Sequence, residues 1–185
     1  MNSFDPAAYG PLVAALLRDV PPAPLNKGVP RAEAKTALAQ LTPSQLFALA
    51  SQPVRDEKMA GLCLAALWLR HNYFDESHAL SQEIETPTGS FWHAILHRRE
   101  PDYGNARYWF RRVGAHPILP DLAPAAVAAG WPQVARWDNV VFVDRVEQAV
   151  RTGMDSKAAI LARAVQQREW EILFDYSWRQ ALGGG

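Results

Sequence analysis

The sequence predicts an all-α fold, a single compact multi-helix domain spanning residues 1–182. Three observations carry this. Apolar residues recur at three- and four-residue spacing through most of the chain. Asp or Thr followed by Pro, a helix-opening pair, stands before two of these stretches, at Asp5-Pro6 and Thr42-Pro43. The one segment of high β-propensity has no partner strand elsewhere.

The elements follow in order. Asp5-Pro6 opens a first helix running through Leu12, Leu16 and Leu17. "VPPAPLNKGVP" (20–30) is too proline-rich to be helical and reads as a loop. "RAEAKTALAQL" is a second short helix, and Thr42-Pro43 caps a third carrying Leu46, Phe47 and Leu49. A fourth runs from about Arg55 to His71 on Met59, Leu62, Cys63, Ala66 and Leu67. Two shorter helices split by "ETPTG" come next, then one from about Asp102 to Val113. A short alanine-rich helix lies within "AHPILPDLAPAAVAAGWP". "VARWDNVVFVDRVEQAV" is read as helix, because Val143, Val146, Ala149 and Val150 keep helical spacing. Asp155 caps a last long helix to about Leu182, and Gly183–Gly185 form a flexible tail.

Composition bounds the function classes. At 185 residues the chain suits one domain burying roughly 70% of its unfolded surface. Nineteen basic and 19 acidic residues cancel, which removes the whole-protein electrostatic case for nucleic acid or an anionic membrane. The lone Cys63 sits in the apolar run "GLCLAALWL" and reads as a small buried hydrophobe rather than a nucleophile. A single thiol fits a reducing compartment, "MNSFDPAAYGPL" has no signal-peptide features, and a cytoplasmic location is expected. No P-loop, dinucleotide fingerprint or nucleophile elbow occurs.

Sliding residues 65–84 by 29 positions lays them on 94–113, matching Ala65 with Ala94, Leu67 with Leu96, Arg70 with Arg99 and Phe74 with Tyr103. Each unit is two helices and a tight bend. The pair resembles degenerate hairpins of tetratricopeptide or Sel1-type repeats, with a repeat-like core over 55–117.

Polar chemistry concentrates in 71–112. On a helix, Phe91, Trp92, Ile95 and Leu96 form an apolar stripe, and His93, His97 and Glu100 fall at i, i+4 and i+7 on a neighbouring face. Two histidines at i, i+4 have helical metal-ligand spacing, although the glutamate of H-E-x-x-H is absent. His78, on the preceding helix, reaches the same place if the two helices pack antiparallel. Asp75, Glu76, Glu83 and Glu85 upstream face Arg98, Arg99, Arg107, Arg111 and Arg112 downstream, a complementarity that predicts ion pairs between successive hairpins. Arg99 enters the apolar stripe and must be paired there.

The wording "SH-x-x-SQ", "GS-x-WH-x-x-x-HRREPDY" and "N-x-x-YWFRR", within 41 residues from Ser77 to Pro117, resembles the central block of a family of bacterial and fungal proteins. No activity comes with that resemblance. It implies only that so long a polar wording serves a shared site.

The expected function is therefore a helical domain with a small-molecule or metal site built by residues 71–112. His78, His93 and His97 are the metal-ligand candidates for a divalent ion. His93, His97 and Glu100 are the acid–base candidates, with Glu100 a third ligand or an orienter of histidine. Trp92, Arg98, Arg99, Tyr108 and Arg111 are the candidates to bind a small anionic ligand. The alternative is a non-enzymatic, tetratricopeptide-like module that binds a peptide, its His/Arg/Glu cluster being structural; a homodimer interface over the same block is a third reading.

Overall fold

The computed structural model describes residues 4–184, and no strand occurs among them. A 3-10 turn, Pro6–Tyr9, precedes α1 (Pro11–Leu17), α2 (Ala32–Ala39), α3 (Pro43–Ala48), α4 (Glu57–Arg70) and α5 (Phe74–Ser81). Then follow α6 (Pro87–Arg99), α7 (Tyr103–Val113), α8 (Leu119–Ala128), α9 (Asn139–Thr152) and α10 (Lys157–Ala181). The all-α expectation holds, including the helical reading of the valine-rich 140–150 stretch.

Two boundaries differ from the sequence reading. The first helix is divided at Gly10, whose φ of 92° separates the 3-10 turn from α1. Pro11 disfavours helical backbone at the residue before it, and Gly accepts the left-handed alternative without strain. The last helix is capped by Ser156 rather than Asp155; its hydroxyl accepts from the Ala159 amide at 3.1 Å. Of the expected flexible tail, Gly183 and Gly184 hydrogen-bond back to Gln180 and Arg179, and Gly185 lies outside the described residues.

Two helices form the centre. Every residue of α4 from Ala60 to Arg70 is buried, and α4 packs against α2, α3, α5, α6 and α10. A helix apolar all round has to be enclosed on all sides. α6 is buried from Thr88 to Leu96 and packs against α4, α5 and α7. On α10, Trp170, Phe174 and Trp178 share one face; Trp170 stacks on Phe174 at 4.9 Å and Trp178 on Phe47 at 4.0 Å. Cys63 is fully buried, and desolvation pushes its thiol pKa well up, as suits an inert core residue. No helix among the described residues is long and apolar enough to cross a membrane.

The C-terminal end of α6 is fixed by two buried arginines. Arg98 Nη1 donates to Glu169 Oε1 at 3.2 Å, and Nη2 donates to Glu169 Oε2 and to Gln166 Oε1. Its guanidinium also lies 4.7 Å from the Phe142 ring centroid. Arg99 is paired without a carboxylate: Nη1 donates to Leu69 O at 2.7 Å, Nε to Pro24 O at 3.0 Å, and Nη2 to Asn72 Oδ1 and Lys27 O. Burial, with the charges of Arg70 and Arg98 nearby, lowers its pKa to about 9. Arg70 donates to Pro21 O and Val20 O, and Gln166 to Ala23 O and Pro24 O. The carbonyls of the proline-rich loop, which no regular element satisfies, are thus taken up by side chains of α4, α6 and α10.

The expected pairing of successive hairpins is corrected. None of Asp75, Glu76, Glu83 or Glu85 forms an ion pair with the downstream arginines among the described residues. Arg98 pairs with Glu169 of α10, and Arg107 with Asp144 and Glu147 of α9. The reason is packing order: α7 lies against α6 and α9, which puts α9 carboxylates rather than α5 carboxylates opposite its basic face.

Two outcomes follow. Glu169→Ala leaves a buried guanidinium without its counter-charge and should cost about 3–5 kcal/mol in urea-unfolding stability. The joint Arg98→Met/Glu169→Leu replacement should recover most of that loss, and a single-variant cost below about 1 kcal/mol would contradict the assignment. The second concerns acid. His71, whose ring nitrogens are buried without partners, and His116, whose Nε2 contacts Thr88 Oγ1 at 3.1 Å, both have pKa values lowered to about 4 by burial. The unfolded chain protonates them near 6.5 while the fold keeps them neutral. Stability is therefore complete above about pH 6.5 and is lost as pH falls toward 4. Urea midpoints measured from pH 7.5 to 4.5 should fall steadily, less steeply in His71→Leu; a flat profile contradicts this.

Candidate metal centre

The 82–86 connection brings α5 against α6. Thr86 caps α6 by accepting from Gly89 N at 3.0 Å, and Pro87 follows at the first helical position. Gly89 is required by contact rather than by φ: a Cβ there would stand 2.0 Å from the Ile84 carbonyl oxygen. With the turn this tight, His78 of α5 reaches His93 of α6, Nε2 to Nε2 at 3.0 Å. His97, one turn after His93, has its ring 4.7 Å from that of His93 and stacked on it. One ring nitrogen from each of the three histidines falls within 4.8 Å of the other two.

The surroundings favour neutral imidazoles. Burial first, then the neighbouring His97 and His78, lowers the His93 pKa to about 3. Burial also lowers that of His97, against the opposing pull of Glu100 and Asp102. A metal ligand must be deprotonated, so at neutral pH these two rings already have the required form. His97 Nδ1 lies 3.2 Å from Glu100 Oε2 and 4.0 Å from Asp102 Oδ2. The nearer contact is ionic in distance but not aligned as a hydrogen bond. Carboxylates on the Nδ1 side favour the tautomer whose Nε2 lone pair is free, which is how metal-bound histidines are commonly oriented. Glu100 is itself held by Lys27 at 3.0 Å. Trp109 of α7 stacks on His93 at 4.2 Å, giving that ring an apolar wall.

Of the residues singled out in the sequence, His78, His93 and His97 come together. Glu100 takes the orienting position beside His97. The expectation that Trp92, Arg98 and Arg99 line a ligand pocket gives way to a structural role, since they are 1%, 0% and 2% exposed. The Trp92 indole donates to Ser177 Oγ at 3.1 Å, and both guanidiniums are engaged as described above. Tyr108 is half exposed beside Arg112 and Trp109. Arg111 is exposed and lines a cleft whose walls include none of the histidines.

Trp109, Asp102 and Lys27 were not singled out for this site. Trp109 had a readable signal. In a hairpin of two antiparallel helices, residues equidistant from the bend oppose one another, and His93 and Trp109 each lie eight positions from Pro101. His78 and His93 are related in the same way, eight before and seven after Thr86. Lys27 had no such signal, because its place depends on how the proline-rich loop folds back.

Three imidazole nitrogens suit zinc, copper, nickel, cobalt or ferrous iron rather than magnesium or calcium, which prefer oxygen donors. Compared with protein-family models, with curated proteins and with solved structures, the chain matches none.

Proposed function

We propose that the protein is a helical metal-binding domain whose centre is a mononuclear site formed by His78, His93 and His97, for a divalent transition ion of the zinc class. The observation that carries this reading is the convergence of three imidazole nitrogens within 4.8 Å. Zinc–nitrogen bonds of about 2.0–2.1 Å in tetrahedral geometry hold ligand nitrogens roughly 3.3 Å apart. The 3.0 Å separation of His78 and His93 is close to that, so an ion needs little rearrangement there. Glu100 and Asp102 supply outer-shell charge at His97. Three protein ligands leave a fourth position for water or substrate, the arrangement of zinc sites that do chemistry rather than closed structural ones. A reducing cytoplasmic setting belongs to this reading, supported by a lone buried thiol.

The rival reading, in which the cluster only packs helices within an interaction module, draws on the same 3.0 Å contact. A hydrogen bond between the two rings satisfies one nitrogen of each without an ion.

The test is metal content by mass spectrometry of protein made without a histidine tag, as purified and after zinc loading and dialysis. About one ion per chain should be retained, and the folded His93→Ala/His97→Ala variant should retain almost none. Wild-type protein that stays folded yet holds no metal, or a variant that holds as much, overturns the proposal.

A further inference from the structure

A second feature lies apart from the histidines. α7, α8 and residues 135–140 enclose a cleft of about 700 Å³, within the size range of small-molecule sites. Leu119, Pro120, Ala135 and Val140 contribute accessible apolar surface to its lining, whereas Phe110, Ala123 and Trp137 are each less than a tenth exposed. The Trp137 indole N–H already donates to Asn139 Oδ1 at 2.7 Å and its ring is 6% exposed, so Trp137 brings the cleft no free donor and serves as a reporter at its base.

Two guanidiniums line the same cleft, Arg111 from α7 and Arg136 from the connection before α9. Neither forms an ion pair among the described residues. The contrast along α7 is informative. Arg107, one turn before Arg111, is paired with both Asp144 and Glu147 of α9. Arg111 instead lines the cleft together with the connection preceding α9, which contributes Arg136 and Asp138. One carboxylate lines the cleft, Asp138, and it is engaged as the cap of α9, accepting from Val140 N at 2.8 Å and Val141 N at 3.1 Å. Two like charges bordering one partly apolar hollow leave a local positive excess that an anion would relieve. Guanidinium forks match the paired oxygens of a carboxylate or phosphate.

We propose that this cleft binds a small organic oxyanion, a carboxylate or phosphate carried on an apolar body. Arg111 and Arg136 grip the oxygens, and Leu119, Pro120 and Val140 border the body. Nothing in this depends on the three-histidine site.

The test uses metal-free protein, so that oxyanion coordination to an ion is not what is read. The probes are 2-naphthoate, 2-naphthyl phosphate and the neutral 2-naphthylmethanol, titrated by calorimetry, with the Trp137 indole N–H followed by NMR. At least one anion should bind about tenfold or more tightly than the alcohol, as expected for a charge-assisted contact. It should also shift the Trp137 signal. The Arg111→Gln/Arg136→Gln variant, changed only at exposed side chains, should lose about that factor for the anion and leave the alcohol unaffected. Whichever oxyanion binds more tightly identifies the head group. An alcohol that binds as well as both anions, a double variant with unchanged affinity, a silent Trp137, or no binding up to millimolar probe each overturns the proposal.

Discussion

The burial of two adjacent cations at the end of α6 is the constraint around which the molecule is organised. Arg98 and Arg99 point in different directions from neighbouring positions of one helix, and neither charge is left to water. Desolvating a guanidinium costs several kcal/mol unless its donors are met, so each arginine obliges another part of the chain to come to it. Arg98 brings in Glu169 and Gln166 of α10; Arg99 brings in the end of α4, Asn72 and the proline-rich loop. Asn72 adopts a positive φ of 66° where α4 ends and links Arg99 to Val29 O. Elements from residue 24 to residue 169 are thereby tied to one turn of α6.

That turn also carries His97, and the previous one carries His93. A helix anchored at its C-terminal end by Arg98 and Arg99, and at its N-terminal end by Thr86 and the Gly89–Ile84 contact, offers its histidines in a set orientation. The remaining surroundings act on charge rather than position. Burial and the neighbouring rings keep His93 neutral, Glu100 and Asp102 stand behind His97, and Trp109 covers one ring. A site of this kind pays its desolvation cost through packing that the fold needs in any case.

Local chemistry made much of this legible from the sequence. Thr42 caps the helix it precedes through a contact three residues long, and the HxxxH spacing is a property of one helix. In the valine-rich segment helical periodicity outweighs β-propensity, and α9 forms there. What depends on distant packing was not legible. The partner of Arg98 lies 71 residues away, and Arg99 is met by backbone carbonyls, which no side-chain pattern announces. The acidic stretch before α6 and the basic stretch after it suggested a local match, but helix order set α9 and α10 opposite the arginines instead. Even so, the need for Arg99 to be paired was evident from its place in an apolar stripe; only the identity of the partner was hidden.

In the proposed centre, three histidines from two helices hold one ion. Its most direct test is a zinc-soaked crystal with anomalous scattering measured on either side of the zinc edge. One strong peak is expected about 2.0–2.1 Å from a nitrogen of each of His78, His93 and His97. A peak only at surface carboxylates, or histidines that keep their mutual hydrogen bond with no density between them, would contradict it.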